Sequence, residues 1–546
     1  MDIKIVSCVE KVFPDGRGTD APVPHLSALR GECVSFQIAF CAGEEDERYF
    51  WPEVESPLKD CITVRRVESV PARIPRTMEN SDENYLSLEA GMYPDLLVEL
   101  KGKAVLGPHL QWRSLWVEIE VPKDMEAGVY PIAVSFVPLE GECIARAETQ
   151  IEVIPAQLPE QTVIHTEWFH SDCLADFYQV PAFSERHWEI VENFVRTAAK
   201  RGQTMLLTPH VTPALDTYVG GERTTVQLVD IKVENGEYFF EFSKLRRWMD
   251  MALACGIKQF EMAHLFTQWG AKAAPKVVAE KDGKIQRIFG WDTPAVGGEY
   301  TRFLHAYLPQ LTEKLKEWGM AERCYFHISD EPNEEKLPFY KAARESLGNL
   351  LDDFPIMDAM SHYPIYEESN IQCPVVSIKA VEGFLEKGVQ DLWGYYCCGP
   401  TQVMTNRFLQ MPLHRTRAMG IQWYKYQLAG FLHWGYNFYN TVHSAAPLDP
   451  HLDTEAGGYF PAGDGFLVYP GRDGKAEESI RILAMHAAFQ DMRALALLES
   501  LIGREKTLAI LEQDGEITLR TYPRTGEGFL AVRERVNAAI KDAVNA

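Results

Sequence analysis

Cys324-Tyr325-Phe326-His327-Ile328-Ser329-Asp330-Glu331-Pro332 is a compact apolar run that closes on two neighbouring acids and a proline. The pattern predicts a strand over residues 323–330. Pro332 has no N–H to give a ladder and biases Glu331 toward extended backbone, so the strand should stop there at a rim. A carboxylic acid holds a proton near neutral pH only when it is desolvated or crowded by a second carboxylate. Two adjoining acids at a strand exit supply that crowding; a solvated exit of an acidic protein is the plainer alternative.

Working outward, the same kind of strand recurs. Strands are expected near 163–169, 203–208, 257–264, 355–360, 374–378, 390–396 and 431–438. Helical periodicity separates most of them, over 188–201, 245–255, 300–318, 334–347 and 412–428, and a last helix covers 477–501. Eight strand–helix units predict a (β/α)8 TIM barrel. Catalytic groups of that fold come from the C-terminal strand ends, where Asp330 and Glu331 fall. Two hairpins interrupt the pattern, 224–242 with an Asn235-Gly236 turn and 276–288 around Asp282-Gly283.

Before residue 159 the punctuation changes. Short segments rich in Val, Ile, Phe and Trp, such as 33–40, 115–121 and 130–136, alternate with Gly, Pro and Asp clusters. That is the signature of a β-sandwich. The expected fold is therefore multidomain, all-β then α/β: a sandwich over 1–159, the barrel over 160–505, and a short helical extension over 506–546 packing on the barrel.

Composition narrows the function. The 546 residues are 46% hydrophobic and carry 78 acids against 54 Lys and Arg, a formal charge of −24. No basic cluster offsets that charge, which argues against nucleic acid. The eleven cysteines are scattered singly apart from Cys397-Cys398, with no C-x-x-C pair for zinc or redox work. No apolar run is long enough to span a bilayer, and the start, Met1-Asp2-Ile3-Lys4-Ile5-Val6, lacks a secretory signal. As written, the chain reads as a soluble, cytoplasmic protein without a membrane partner. H-E-x-x-H, G-x-S-x-G, Walker and G-x-G-x-x-G motifs are all absent, so no metal and no cofactor are expected.

Aromatic and imidazole side chains gather at the level of the acid pair. Trp168 and His170 follow the first strand, His210 the second, and His264 ends the third. Trp393, Tyr395 and Tyr396 close the seventh, while Trp434 and Asn437 belong to the eighth. Sugar rings present apolar C–H faces to indoles and phenols and hydroxyls to short polar groups, so this mouth suits a carbohydrate, a glycan or oligosaccharide. Trp168, His210, His264, Trp393, Tyr395, Tyr396, Trp434 and Asn437 are the expected substrate-binding residues. Core packing is the competing assignment for each.

The Ser329-Asp330-Glu331-Pro332 strand end, the aromatic run 431–439, the segment Gly463-Asp464-Gly465-Phe466-Leu467-Val468-Tyr469-Pro470-Gly471 and the helix opening Ser479-Ile480-Arg481 together resemble glycoside hydrolase family 123 and related bacterial proteins. The resemblance runs from the sandwich through the barrel. It implies a β-N-acetylgalactosaminidase that retains configuration with the substrate's own acetamide as nucleophile. Matched residue by residue, Glu331 would be the general acid/base. Asp330 would hold the 2-acetamido N–H while the acetamide oxygen attacks C1 and forms an oxazolinium ion. Neighbours on one strand do not flank a sugar from opposite faces roughly 5 Å apart, so a substrate nucleophile makes sense of the pair. Tyr395 or Tyr396 would donate to the acetamide oxygen, with Trp434 as ring platform. Two other readings stay open: a carbohydrate-binding protein without turnover, and a barrel glycosidase using a remote nucleophile such as Glu167 or Asp464 on a sugar lacking the acetamide.

Overall fold

The computed structural model describes residues 1–21, 23, 25–73, 81–369 and 371–546. Eight short parallel strands organise the larger part: β1 (Ile164–Glu167), β2 (Met205–Thr208), β3 (Gln259–Met262), β4 (Cys324–Phe326), β5 (Met357–Ala359), β6 (Cys373–Ser377), β7 (Trp393–Tyr395) and β8 (Gly430–His433). Their spatial order is β4-β3-β2-β1-β8-β7-β6-β5. The edges β4 and β5 meet through a single parallel bridge, Phe326 to Ile356, with the Phe326 N–H donating to the Pro355 carbonyl at 3.0 Å. The result is an almost closed eight-stranded parallel barrel, with helices such as Glu185–Lys200, Gly298–Glu317 and Ile480–Ile502 between and after its strands.

Every expected strand has a counterpart, but each is short. The fourth departs most from expectation: it ends at Phe326 rather than at Asp330. Beyond that point the main chain is held by a side chain, because Ile328 N–H donates to both carboxylate oxygens of Asp358, at 3.1 and 3.2 Å. Glu331 is not extended either. Its φ of +44° lies in the left-handed region, which Pro332 leaves open while disfavouring the right-handed one.

Side chains fill the barrel interior. Met205, Leu207, Met357, Val375, Trp393 and Leu432 form one buried cluster, closed toward the mouth by Trp168 and Tyr395. The Trp393 indole lies so close to Gly430 that a β-carbon there would come within 2.1 Å of the ring, so glycine is required.

The N-terminal region folds into two five-stranded sheets. One contains Asp2–Ser7, Cys33–Cys41, Arg113–Glu120, Ile62–Ala72 and Gly91–Glu99; the other Leu26–Arg30, Ala145–Gln157, Gly128–Val137, Tyr49–Glu55 and Val105–Leu106. Phe36, Ile38, Phe40, Val117, Val134, Phe136 and Ile151 from both sheets make their common core. The first sheet is welded to the barrel region by buried ions. Glu478 is gripped by Arg65 and Arg201, which also bind Glu118 at 2.5 and 3.0 Å, while Arg481 pairs with Asp95 at 2.9 Å. The C-terminal helix Gly526–Asn545 packs on helix Ile480–Ile502 and also reaches the N-terminal strands, through Arg533–Glu32 and Lys541–Glu152. The two expected hairpins form and join into one four-stranded sheet by parallel pairing of Lys232 and Val233 with Glu280 and Lys281. Among the described residues no helix is long and apolar enough to cross a membrane.

Candidate functional site

A cleft of about 690 Å³, open to solvent, lies at the C-terminal ends of the strands. Asp330 and Glu331 both line it, from the segment that follows β4. Asp330 is buried and Glu331 is exposed, so adjacent residues place one acid in the wall and one at the opening. Burial first, and then the neighbouring Glu331 carboxylate, push the Asp330 carboxyl well above the usual range. His327 and Gln268 oppose that shift, the latter by donating Nε2 to Asp330 Oδ2 at 3.1 Å. Glu331 receives the Tyr395 hydroxyl at 2.5 Å, and that hydroxyl lies 3.3 Å from Ser361 Oγ. Burial and the Glu331 charge raise the Tyr395 phenol well above its ordinary value, so it remains a donor. The pair is thus an acid that favours its proton beside one whose carboxyl oxygen accepts the Tyr395 hydroxyl.

Beneath the pair lies a buried ionic chain. His327 Nε2 is 2.6 Å from Glu261 Oε1, and Nδ1 is 2.9 Å from Asp358 Oδ1. Burial alone would strip the imidazole of its proton, but the two carboxylates raise it to about 9, so both nitrogens donate at neutral pH. Glu261 also accepts from Trp168 Nε1 at 2.6 Å and Thr166 Oγ1 at 2.5 Å; Asp358 accepts from the Tyr340 hydroxyl at 2.6 Å. The chain therefore connects the Trp168 wall to the backbone that presents Asp330. His264, His327 and Asp358 bring potential ligand atoms within 4.8 Å of one another. They do not suit a metal: the two imidazoles stack face to face, 4.1 Å apart and 17° from parallel, so their in-plane lone pairs do not converge, and both His327 nitrogens are engaged.

Of the expected binding residues, Trp168, Tyr395 and Trp434 line the cleft. Trp434 is anchored through Nε1 to Asp464 Oδ2 at 2.9 Å. Tyr395, expected to donate to a ligand, already gives its hydroxyl to Glu331. The other five are not part of the lining. His210 is enclosed between the Tyr307 hydroxyl and the Ala263 carbonyl, at 3.0 and 2.9 Å, and burial pushes its imidazole down to about 4. His264 is buried against His327, and burial and His327 hold it well below the usual histidine value. Trp393 plugs the barrel interior. Tyr396 points the opposite way from Tyr395, as strand alternation requires, and meets Met485 Sδ at 3.1 Å. Asn437 clamps the His170 backbone, accepting its N–H at 2.8 Å and donating to its carbonyl at 3.1 Å.

The two remote carboxylates weighed as nucleophiles are also accounted for. Glu167 is buried against Arg407 and His165, which overcome the cost of burial and hold its carboxyl at about 2. Asp464 is fully buried and receives Trp434 and the Cys398 thiol.

Sequence reasoning missed several lining residues: Asp216 after β2, Gln268 and Trp269 after β3, Cys397 and Cys398 after β7, and Phe460. Gln268 ties three loops together by also accepting the Asp216 N–H. The available signal was position, directly beyond expected strand ends, and in Cys397-Cys398 an unusual doublet.

A family model described as the glycoside hydrolase 123 catalytic domain matches residues 168–498. Among solved structures, a family 123 glycoside hydrolase from Clostridium perfringens, studied for glycolipid glycan hydrolysis, is similar over 100% of this chain and 98% of its own, at 14% identity and a TM-score of 0.74. A β-glucuronidase from Parabacteroides merdae overlaps 84% of this chain and 50% of its own, with 10% identity and a TM-score of 0.31. No curated protein matches.

Proposed function

The chain belongs to glycoside hydrolase family 123, and on that premise we propose that it removes a terminal β-linked 2-acetamido sugar, N-acetylgalactosamine above all, with the acetamide as nucleophile. The observation that carries the reading is the asymmetry of the acid pair: two successive carboxyls in one cleft, one buried and one open. We read the almost closed barrel as a (β/α)8 catalytic domain, bounded near residues 159 and 505.

The pair works with one shared proton, since two adjoining carboxylates in a desolvated wall resist joint ionisation. In the free cleft burial keeps that proton on Asp330. An acetamido N–H seated against Asp330 stabilises its charged form and releases the proton toward Glu331. Glu331 then protonates the glycosidic oxygen while the acetamide oxygen closes on C1. Asp330 balances the positive charge of the oxazolinium ion, and Glu331 returns as base to activate the water that opens it. Trp434 supplies the apolar platform, and Tyr395 fixes Glu331 between turnovers. The Clostridium perfringens relative acts on glycolipid glycans, and we extend that class of glycan to this chain.

The test compares aryl β-N-acetylgalactosaminide, aryl β-N-acetylglucosaminide and the aryl β-galactoside, with an N-acetylated thiazoline as inhibitor. Turnover confined to the acetamido sugars, blocked by the thiazoline, is the expected result. Equal turnover of the plain galactoside, or indifference to the thiazoline, overturns acetamide participation and points to Asp216, the other carboxylate lining the cleft.

A further inference from the structure

Among eleven free thiols, Cys397 and Cys398 are consecutive, and both line the cleft that holds Asp330, Glu331, Tyr395 and Trp434. They are half-buried, and their side chains are hydrogen-bonded to each other. Their backbone is pinned: Cys397 N–H donates to the Gly399 carbonyl at 3.0 Å, and its carbonyl accepts from Asn406 Nδ2 at 2.9 Å. Cys398 Sγ donates to Asp464 Oδ2 at 3.3 Å, the same oxygen that anchors the Trp434 indole. Sugar chemistry at the acid pair uses neither thiol.

We propose that Cys397 and Cys398 form a dithiol capture site in the wall of the cleft for trivalent, thiophilic centres of the arsenical class, R–As(OH)2, and that capture shuts the cleft. The condensation balances without any change of oxidation state. Two As–O and two S–H bonds break, two As–S and two O–H bonds form, and two waters leave. No thiolate has to be created beside Asp464, which matters because the Cys397 thiol, burial and the Asp464 charge hold the Cys398 thiol well above its ordinary value. The pinned backbone keeps the second thiol in reach of a centre already bound to the first, so the second bond forms intramolecularly. Capture also withdraws the Cys398 donor from Asp464, and so loosens the support of Trp434.

The experiment uses the full-length protein and phenylarsine oxide. Expected are one arsenical per chain, mapped by mass spectrometry to the peptide bearing Cys397 and Cys398, loss of glycosidase activity, and recovery with dithiothreitol but not with a monothiol. Cys397→Ser and Cys398→Ser should each weaken binding by about 100-fold or more, the gain that an intramolecular second contact provides. Alanine variants run beside them separate loss of a thiol from a change at Asp464, and far-ultraviolet circular dichroism checks that each variant folds. An adduct on other cysteines, undiminished binding by folded single-thiol variants, or full activity of the loaded enzyme each overturns the proposal. The binding stoichiometry is independent of what the cleft cleaves, so its failure is distinguishable from failure of the acetamido-sugar assignment.

Discussion

The seam between the N-terminal sheet and the barrel region and the mouth of the cleft both bury carboxylates, and they do so in opposite ways. At the seam, Glu118 and Glu478 lie among Arg65 and Arg201. Burial opposes their charge, but the guanidinium groups lower both carboxyls, that of Glu478 well below the usual range. At the mouth, Asp330 is buried just as thoroughly, yet the charge that acts on it most is that of Glu331, and its carboxyl rises instead. Desolvation is common to both; the sign of the neighbour decides whether a buried acid becomes a structural ion or a proton carrier. Backbone conformation follows the same division. Asp216, Trp269 and Glu331, three non-glycine residues with positive φ, all line the cleft. Such conformations cost roughly 1–3 kcal/mol each and persist where the surrounding structure enforces them.

The largest test of the comparison is Glu331→Gln, which removes the proton carrier and keeps its shape. Turnover of a poorly activated acetamido glycoside should fall about 10²–10⁴-fold, with partial recovery on an aryl glycoside whose leaving group needs little protonation. Equal loss on both substrates would move the acid elsewhere. Next in size is the same carboxylate-to-amide change at the two buried acids, read by urea unfolding. Glu478→Gln leaves Arg65 and Arg201 short of a partner and should cost roughly 3–5 kcal/mol. Asp330→Asn should have the opposite sign. A carboxyl raised in the folded state works against folding once the pH exceeds its unfolded value, so the amide should stabilise near neutrality and lose that advantage in acid. Destabilisation by both would erase the distinction.

The buried imidazolium offers a third measure. His327 sits at about 9 in the fold against 6.5 as a free side chain. The folded protein therefore binds an extra proton between those values, and stability falls as pH rises through that window, by on the order of 3 kcal/mol. His327→Gln should be less stable at pH 6 and should lack this slope; a slope unchanged in the variant would assign it to another group. Smallest is Tyr395→Phe, which deletes one hydrogen bond to a charged acid. About 10-fold in kcat is expected with the fold intact, checked on the same acetamido glycoside.

Part of this was legible in residue order. All eight barrel strands were expected where they occur, because apolar runs bounded by breakers report burial without needing a partner. Both hairpin turns were visible in Asn235-Gly236 and Asp282-Gly283, but not their union into one sheet, which is a long-range pairing. Strand alternation separates Tyr395, in the cleft, from Tyr396, against Met485, yet it does not say which face is inward. His210, His264 and Asn437 fall at the mouth in sequence and are enclosed in the fold: His210 and Asn437 bond neighbouring backbone groups, while His264 is held by stacking on His327.

What the order of residues determined by itself was local: the positions of the strands, the two sheets' worth of short apolar segments, and the covalent adjacency of Asp330 with Glu331 and of Cys397 with Cys398. Adjacency guarantees that two groups meet; it says nothing of their surroundings. Only tertiary packing made Asp330 a buried acid, raised His327 between Glu261 and Asp358, and brought Gln268, Trp434 and the thiols to one wall. Desolvation and charge proximity depend on neighbours tens of residues away along the chain, such as Gln268 for Asp330 and Glu261 for His327, and those neighbours exist only once the barrel has closed around them.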